Sequence, residues 1–92
     1  MTSVCKFIFK ETISKEEIEA KVALAIITAE CTFGQSKVRL NAAYFAIDGK
    51  VVIDVSSEVG EHIAEVFTGL VTREMGEESF TVERIRKELI KE

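Results

Sequence analysis

Apolar and polar positions alternate with a period of two in two parts of the chain and recur at helical spacing in two others. From Val4 to Lys10, Cys5, Phe7 and Phe9 fall on one side and Lys6 and Lys10 on the other, the signature of a half-buried strand, with Ile8 on the lysine side. The second alternating stretch runs from Lys37 to Ile47, breaks at Asp48-Gly49 and resumes from Lys50 to Val55. Asp-Gly between β-branched and aromatic residues predicts a two-residue hairpin, because the tight primed turn demands φ > 0 at its centre. Such a turn pairs Ile47 with Lys50, Ala46 with Val51, Phe45 with Val52 and Tyr44 with Ile53. One face of the hairpin then carries Val38, Leu40, Ala42, Tyr44, Ala46, Val51, Ile53 and Val55, an unbroken apolar surface expected to form the core. The other carries Arg39, Asn41, Ala43, Phe45, Ile47, Lys50, Val52 and Asp54, polar at one end, with Phe45, Ile47 and Val52 clustered towards the turn.

Helical spacing begins at Ser14-Lys-Glu-Glu17, a capping box in which serine and glutamate satisfy each other's free backbone donors. The helix is expected to reach about Cys31, with Gly34 close behind to end it. It has two apolar stripes where a helix covering a sheet needs one. Ile18, Val22, Ala25, Ile26 and Ala29 form the first; Ala20, Ala23, Leu24, Ile27 and Cys31 form the second. A further helix starts at Ser56-Ser57, buries Val59, Ile63, Val66, Phe67 and Leu70, and stops at Gly76. Gly60 and Gly69 lie inside it, and close approach of another backbone is one reason to keep a glycine there. The segment from Ser79 to Ile85 reads as a strand followed by a short charged helical tail. The competing reading caps a helix at Thr81 and buries Val82, Ile85 and Leu89.

The order is β-α-β-β-α-β. It resembles the ferredoxin-like arrangement, a four-stranded antiparallel sheet with two helices on one face. The alternative is a three-stranded sheet with a C-terminal third helix.

Composition narrows the function classes. Ninety-two residues, 47% hydrophobic and 30% charged, suit a single domain with one core. A net charge of −4 speaks against a nucleic-acid binder. The longest uncharged run, Val22 to Ala29, is too short to span a bilayer, so no membrane association is expected. Cys5 and Cys31 have neither metal-ligand nor redox spacing and fit thiols of a reducing cytoplasm.

No catalytic set emerges from the sequence, and neither a metal nor a cofactor is implied. His62, the one histidine, is flanked by Glu58 and Glu65 a turn away on either side and reads as a surface residue of an acidic helix. The best small-ligand candidate is the end of the sheet where Lys37, Ser56 and Ser57 meet, with free backbone donors, two hydroxyls and a cation for a phosphate or carboxylate. More prominent is surplus apolar surface: Ile8, Phe45, Ile47 and Val52 outside the sheet, and Leu24 and Ile27 on whichever helix stripe is left uncovered. These residues make a self-associating module, most simply a homodimer, that takes a protein partner or small regulatory ligand. The alternative is a small enzyme with its site between sheet and helices or at a dimer interface.

Overall fold

Alternating apolar residues, a capping box and three glycines at chain reversals set the elements in place. The computed structural model describes residues 2–47 and 49–87. Strand β1 (Thr2–Phe9) leads to helix α1 (Lys15–Phe33), then to a short helix α2 (Gln35–Asn41). The hairpin follows as β2 (Tyr44–Ile47) and β3 (Lys50–Asp54), then helix α3 (Glu58–Met75), a single 3-10 turn (Glu77–Ser79) and strand β4 (Phe80–Lys87). The described residues are α+β, with one four-stranded antiparallel sheet in the order β2-β3-β1-β4 and three helices.

The hairpin pairs as its turn demands, with Ile47 opposite Lys50, Phe45 opposite Val52 and Tyr44 opposite Ile53. Gly49 takes φ 74°, a conformation with little cost only for a residue without Cβ. Asp48, the other turn residue, lies outside the described residues, as does the expected helical tail beyond Lys87. The last segment is strand β4, paired along β1 from Thr2 opposite Lys87 to Phe9 opposite Phe80, which rules out a C-terminal helix over Thr81–Lys87.

The first hairpin strand is shorter than its alternation suggests. Gln35 to Asn41 coil into α2, so Lys37, Val38 and Leu40 are helical rather than extended. Glutamine, lysine, arginine and leucine all favour a helix, and five alternating residues do not outweigh that preference. Val38 still reaches the core, but Leu40 is 84% exposed, not a core residue. Tyr44 is also outside the core at 46% exposure, because β2 is an edge strand and little lies over its end. Helix α2 thus adds to the two long helices that the spacing predicts, making three among the described residues.

The core lies between one sheet face and helices α1 and α3. Phe7, Phe9, Val51 and Ile53 meet Ile18, Val22, Ala25 and Ala29 from α1 and Val59, Ile63, Phe67 and Val71 from α3. Phe67 is the hub, edge-on to Phe7 at 4.9 Å and to Phe9 at 6.0 Å between centroids. Gly60 lets α3 cross the end of β3, since a Cβ there would collide with the carbonyl oxygen of Asp54.

Candidate functional site

Three surfaces carry the residues singled out by the sequence. The first is the outer face of the sheet with its β2 edge. Residues of β2 alternate between faces, so Phe45 and Ile47 stand on the outer side and remain 53% and 59% exposed. With Val52 on β3, Val4 on β1 and Ile85 on β4, they line an open groove of about 250 Å³. Lys6 and Lys50 line the same groove, so charge reaches into the face instead of stopping at its rim. Ile8 shares the outer face by register but borders a different hollow, beside Phe9, Phe80 and Thr81.

The second surface is the outward stripe of α1. Its other stripe, Ile18, Val22, Ala25 and Ala29, is the buried one. Leu24 and Ile27 are left about half exposed, with Ala20, Ala23 and Cys31 around them. Capping at Ser14, whose Oγ accepts from the Glu17 N–H at 3.2 Å, fixes where the helix starts.

The third is the end of the sheet where Lys37, Ser56 and Ser57 were expected to gather. Both hydroxyls are already engaged. Ser57 caps α3, accepting from the Gly60 N–H at 3.0 Å and donating to the Asn41 carbonyl at 3.2 Å. Ser56 Oγ accepts from the Ser3 N–H at 3.0 Å, while the Ser56 N–H donates to the Asp54 carboxylate at 2.8 Å. The Lys37 ammonium sits over the Phe33 ring, 5.1 Å from its centroid. An internal carboxylate thus takes the donor that an anion would need.

His62 is less exposed than its acidic helix suggests. Its ring meets Phe33 edge-to-face at 5.3 Å, and its Nε2 is shut off from solvent with no hydrogen-bond partner. It is a packing residue where α1 and α2 meet α3, which corrects its reading as a surface histidine.

One feature escapes the sequence. A cleft of about 330 Å³ opens between α3 and the β1–β4 pair, walled by Phe7, Val55, Ala64 and Val82. Cys5, Glu61, Glu65, Thr68 and Arg84 supply its polar groups. Burial pushes the Cys5 thiol above its ordinary range; the Arg84 guanidinium opposes that shift and the Glu61 carboxylate reinforces it. Glu61, Glu65 and Thr68 share a helical ridge, a legible signal, but Cys5 and Arg84 come opposite each other only through the β1–β4 register. Among the described residues, no group of three or more His, Cys, Asp or Glu is placed to hold a metal ion, and no helix is long and apolar enough to cross a membrane.

No protein-family model matches this chain, and no curated protein is detectably similar to it in sequence.

Proposed function

We propose that this protein is a small non-catalytic module that self-associates, most simply as a homodimer, and offers its remaining apolar surface to a protein partner or small regulatory ligand. One observation carries the reading. Tyr44, Phe45 and Ile47 are consecutive or nearly so, about half exposed, and belong to the strand at the open edge of the sheet. Each such side chain removed from water stabilises a complex by roughly 1.5–3 kcal/mol when fully buried, so an uncovered run of them favours association. Light scattering over a concentration series tests it: the wild type is expected to rise towards twice the monomer mass as concentration increases from micromolar to millimolar, and Phe45→Glu to stay at the monomer mass. A wild type that stays monomeric throughout overturns the reading.

The sheet order, read with α2 as an insertion before the hairpin, supports a ferredoxin-like arrangement in which one sheet face stays free for association. Two free thiols, Cys5 and Cys31, support a cytoplasmic location. A second reading, a small enzyme or ligand binder with its site between sheet and helices, is favoured by the Cys5–Arg84 cleft. It predicts a small molecule carried through purification and lost on Arg84→Ala.

A further inference from the structure

The two edges of the sheet are built differently. Edge strand β4 carries Glu83 and Arg84, charges of the kind that discourage another strand from adding. Edge strand β2, Tyr44-Phe-Ala-Ile47, carries none. The Asp54 N–H donates to the Ala43 carbonyl at 2.8 Å, which fixes Ala43, Phe45 and Ile47 as the β2-side residues whose main chain bonds β3. By alternation, the N–H and C=O of Tyr44 and Ala46 point to the open edge.

We infer that β2 pairs antiparallel with β2 of a second copy about a two-fold axis at Phe45, joining the two sheets into one of eight strands. This deepens the self-association proposed above and rests on it. The occupant is argued from self-complementarity. In this register, Tyr44 forms a hydrogen-bonded pair with Ala46 of the second copy, and Ala46 with its Tyr44, giving four ladder bonds from groups that β3 leaves open. A large side chain meets a small one on either side of the axis: Tyr44 faces Ala46, and Ile47 faces Ala43. On the axis Phe45 meets itself across a non-hydrogen-bonded pair, where side chains approach closest and aromatic pairs are favourable.

Charge agrees with this placement. The cross-sheet row that contains Lys50 passes through Ile47 and the second copy's Ala43 to its Asp54, so this row carries opposite charges on the two sides of the axis, and no like charges stand opposite each other across the new pairing. Face-to-face stacking of the outer sheet surfaces would instead bury Lys6 and Lys50. Tyr44, Phe45 and Ile47 each leave on the order of 100 Å² open, so two copies bring roughly 600 Å² of side chain to the contact. Ladder main chain and the flanking alanines carry it toward the ~1,000 Å² of a specific but weak interface. A contact of that size belongs to the weak, reversible class.

Amide hydrogen exchange, followed residue by residue at concentrations above and below dissociation, tests the pairing. The Tyr44 and Ala46 amides are expected to slow about ten-fold or more in the dimer, while those of Phe45 and Ile47, bonded to β3, hardly change. Ala46→Pro removes an N–H that β3 does not use and is expected to give a folded monomer. A dimer by light scattering whose Tyr44 and Ala46 amides exchange at the same rate at every concentration overturns the edge pairing and leaves self-association standing, as does a folded Ala46→Pro that remains dimeric. A wild type monomeric at every concentration overturns both. Should Ala46→Pro fail to fold, the wild-type exchange pattern alone decides.

Discussion

The two glycines inside α3 look alike in the sequence and differ completely in their surroundings. A methyl group at Gly60 would collide with the Asp54 carbonyl, whereas nothing lies within 4 Å of one at Gly69. Gly60→Ala is expected to cost about 1–3 kcal/mol, the range for overpacking against a backbone that must move. Gly69→Ala, in contrast, should stabilise by up to about 1 kcal/mol, because it removes the helix penalty of glycine and meets no obstacle. Urea denaturation of both variants measures this, and equal effects at the two sites would contradict the close crossing. His62 makes the same point about burial. Loss of its edge-to-face contact with Phe33, together with the hole left behind, should make His62→Ala destabilising by about 1–2 kcal/mol, beyond the 0.5 kcal/mol of an ordinary surface substitution. Its unpartnered Nε2 adds nothing that the alanine would lose. A thermal melt superimposable on the wild type would return His62 to the surface.

Of the two apolar stripes of helix α1, the fold buries one and leaves the other in solvent. Only the stripe of Ile18, Val22, Ala25 and Ala29 holds the fold together. Ile18→Ala is expected to cost about 2–5 kcal/mol, whereas Ile27→Ala should stay within about 0.5 kcal/mol, measured on the monomer. Similar losses from both would mean that the outer stripe is covered. The hairpin turn gives a further test at this scale. Gly49 at φ 74° makes Gly49→Val cost on the order of 1–3 kcal/mol, visible as a lowered denaturation midpoint. Its Cβ would meet only the Phe9 carbonyl oxygen at 3.7 Å, an ordinary contact, so the cost is conformational and not a collision. The short helix α2 shows the limit of pattern reading. Val38, Leu40 and Ala42 alternate as a strand would, yet one helical turn also places Val38 inward and leaves Leu40 in solvent.

At the scale of the whole molecule, association and folding are linked. The proposed dimer engages the folded chain and not the unfolded one, so mass action through it would raise stability with protein concentration. The midpoint of thermal unfolding is expected to rise by a few degrees between micromolar and millimolar protein, and Phe45→Glu should abolish that dependence. Calorimetry at several concentrations measures it; a midpoint independent of concentration for the wild type would oppose a folded dimer in that range.

What the sequence by itself determined was local. The Asp48-Gly49 dipeptide specified the pairing of Tyr44–Ile47 with Lys50–Ile53, since a two-residue turn leaves one register. Ser14, Ser57, Gly34 and Gly76 marked the helix ends, because caps act through hydrogen bonds within a few residues. The double stripe of α1 was equally plain, but not which stripe turns inward: both are apolar, and only packing against β3 and α3 distinguishes them. Strand order, the choice of β2 as an edge and the meeting of Cys5 with Arg84 depend on pairings between residues far apart in the chain. Local spacing carries no record of such contacts. The same holds for Ser56 and Ser57, whose sequence suggests open hydroxyls. Their partners, Ser3 and Asn41, are supplied by other elements, and tertiary structure alone brings them within reach.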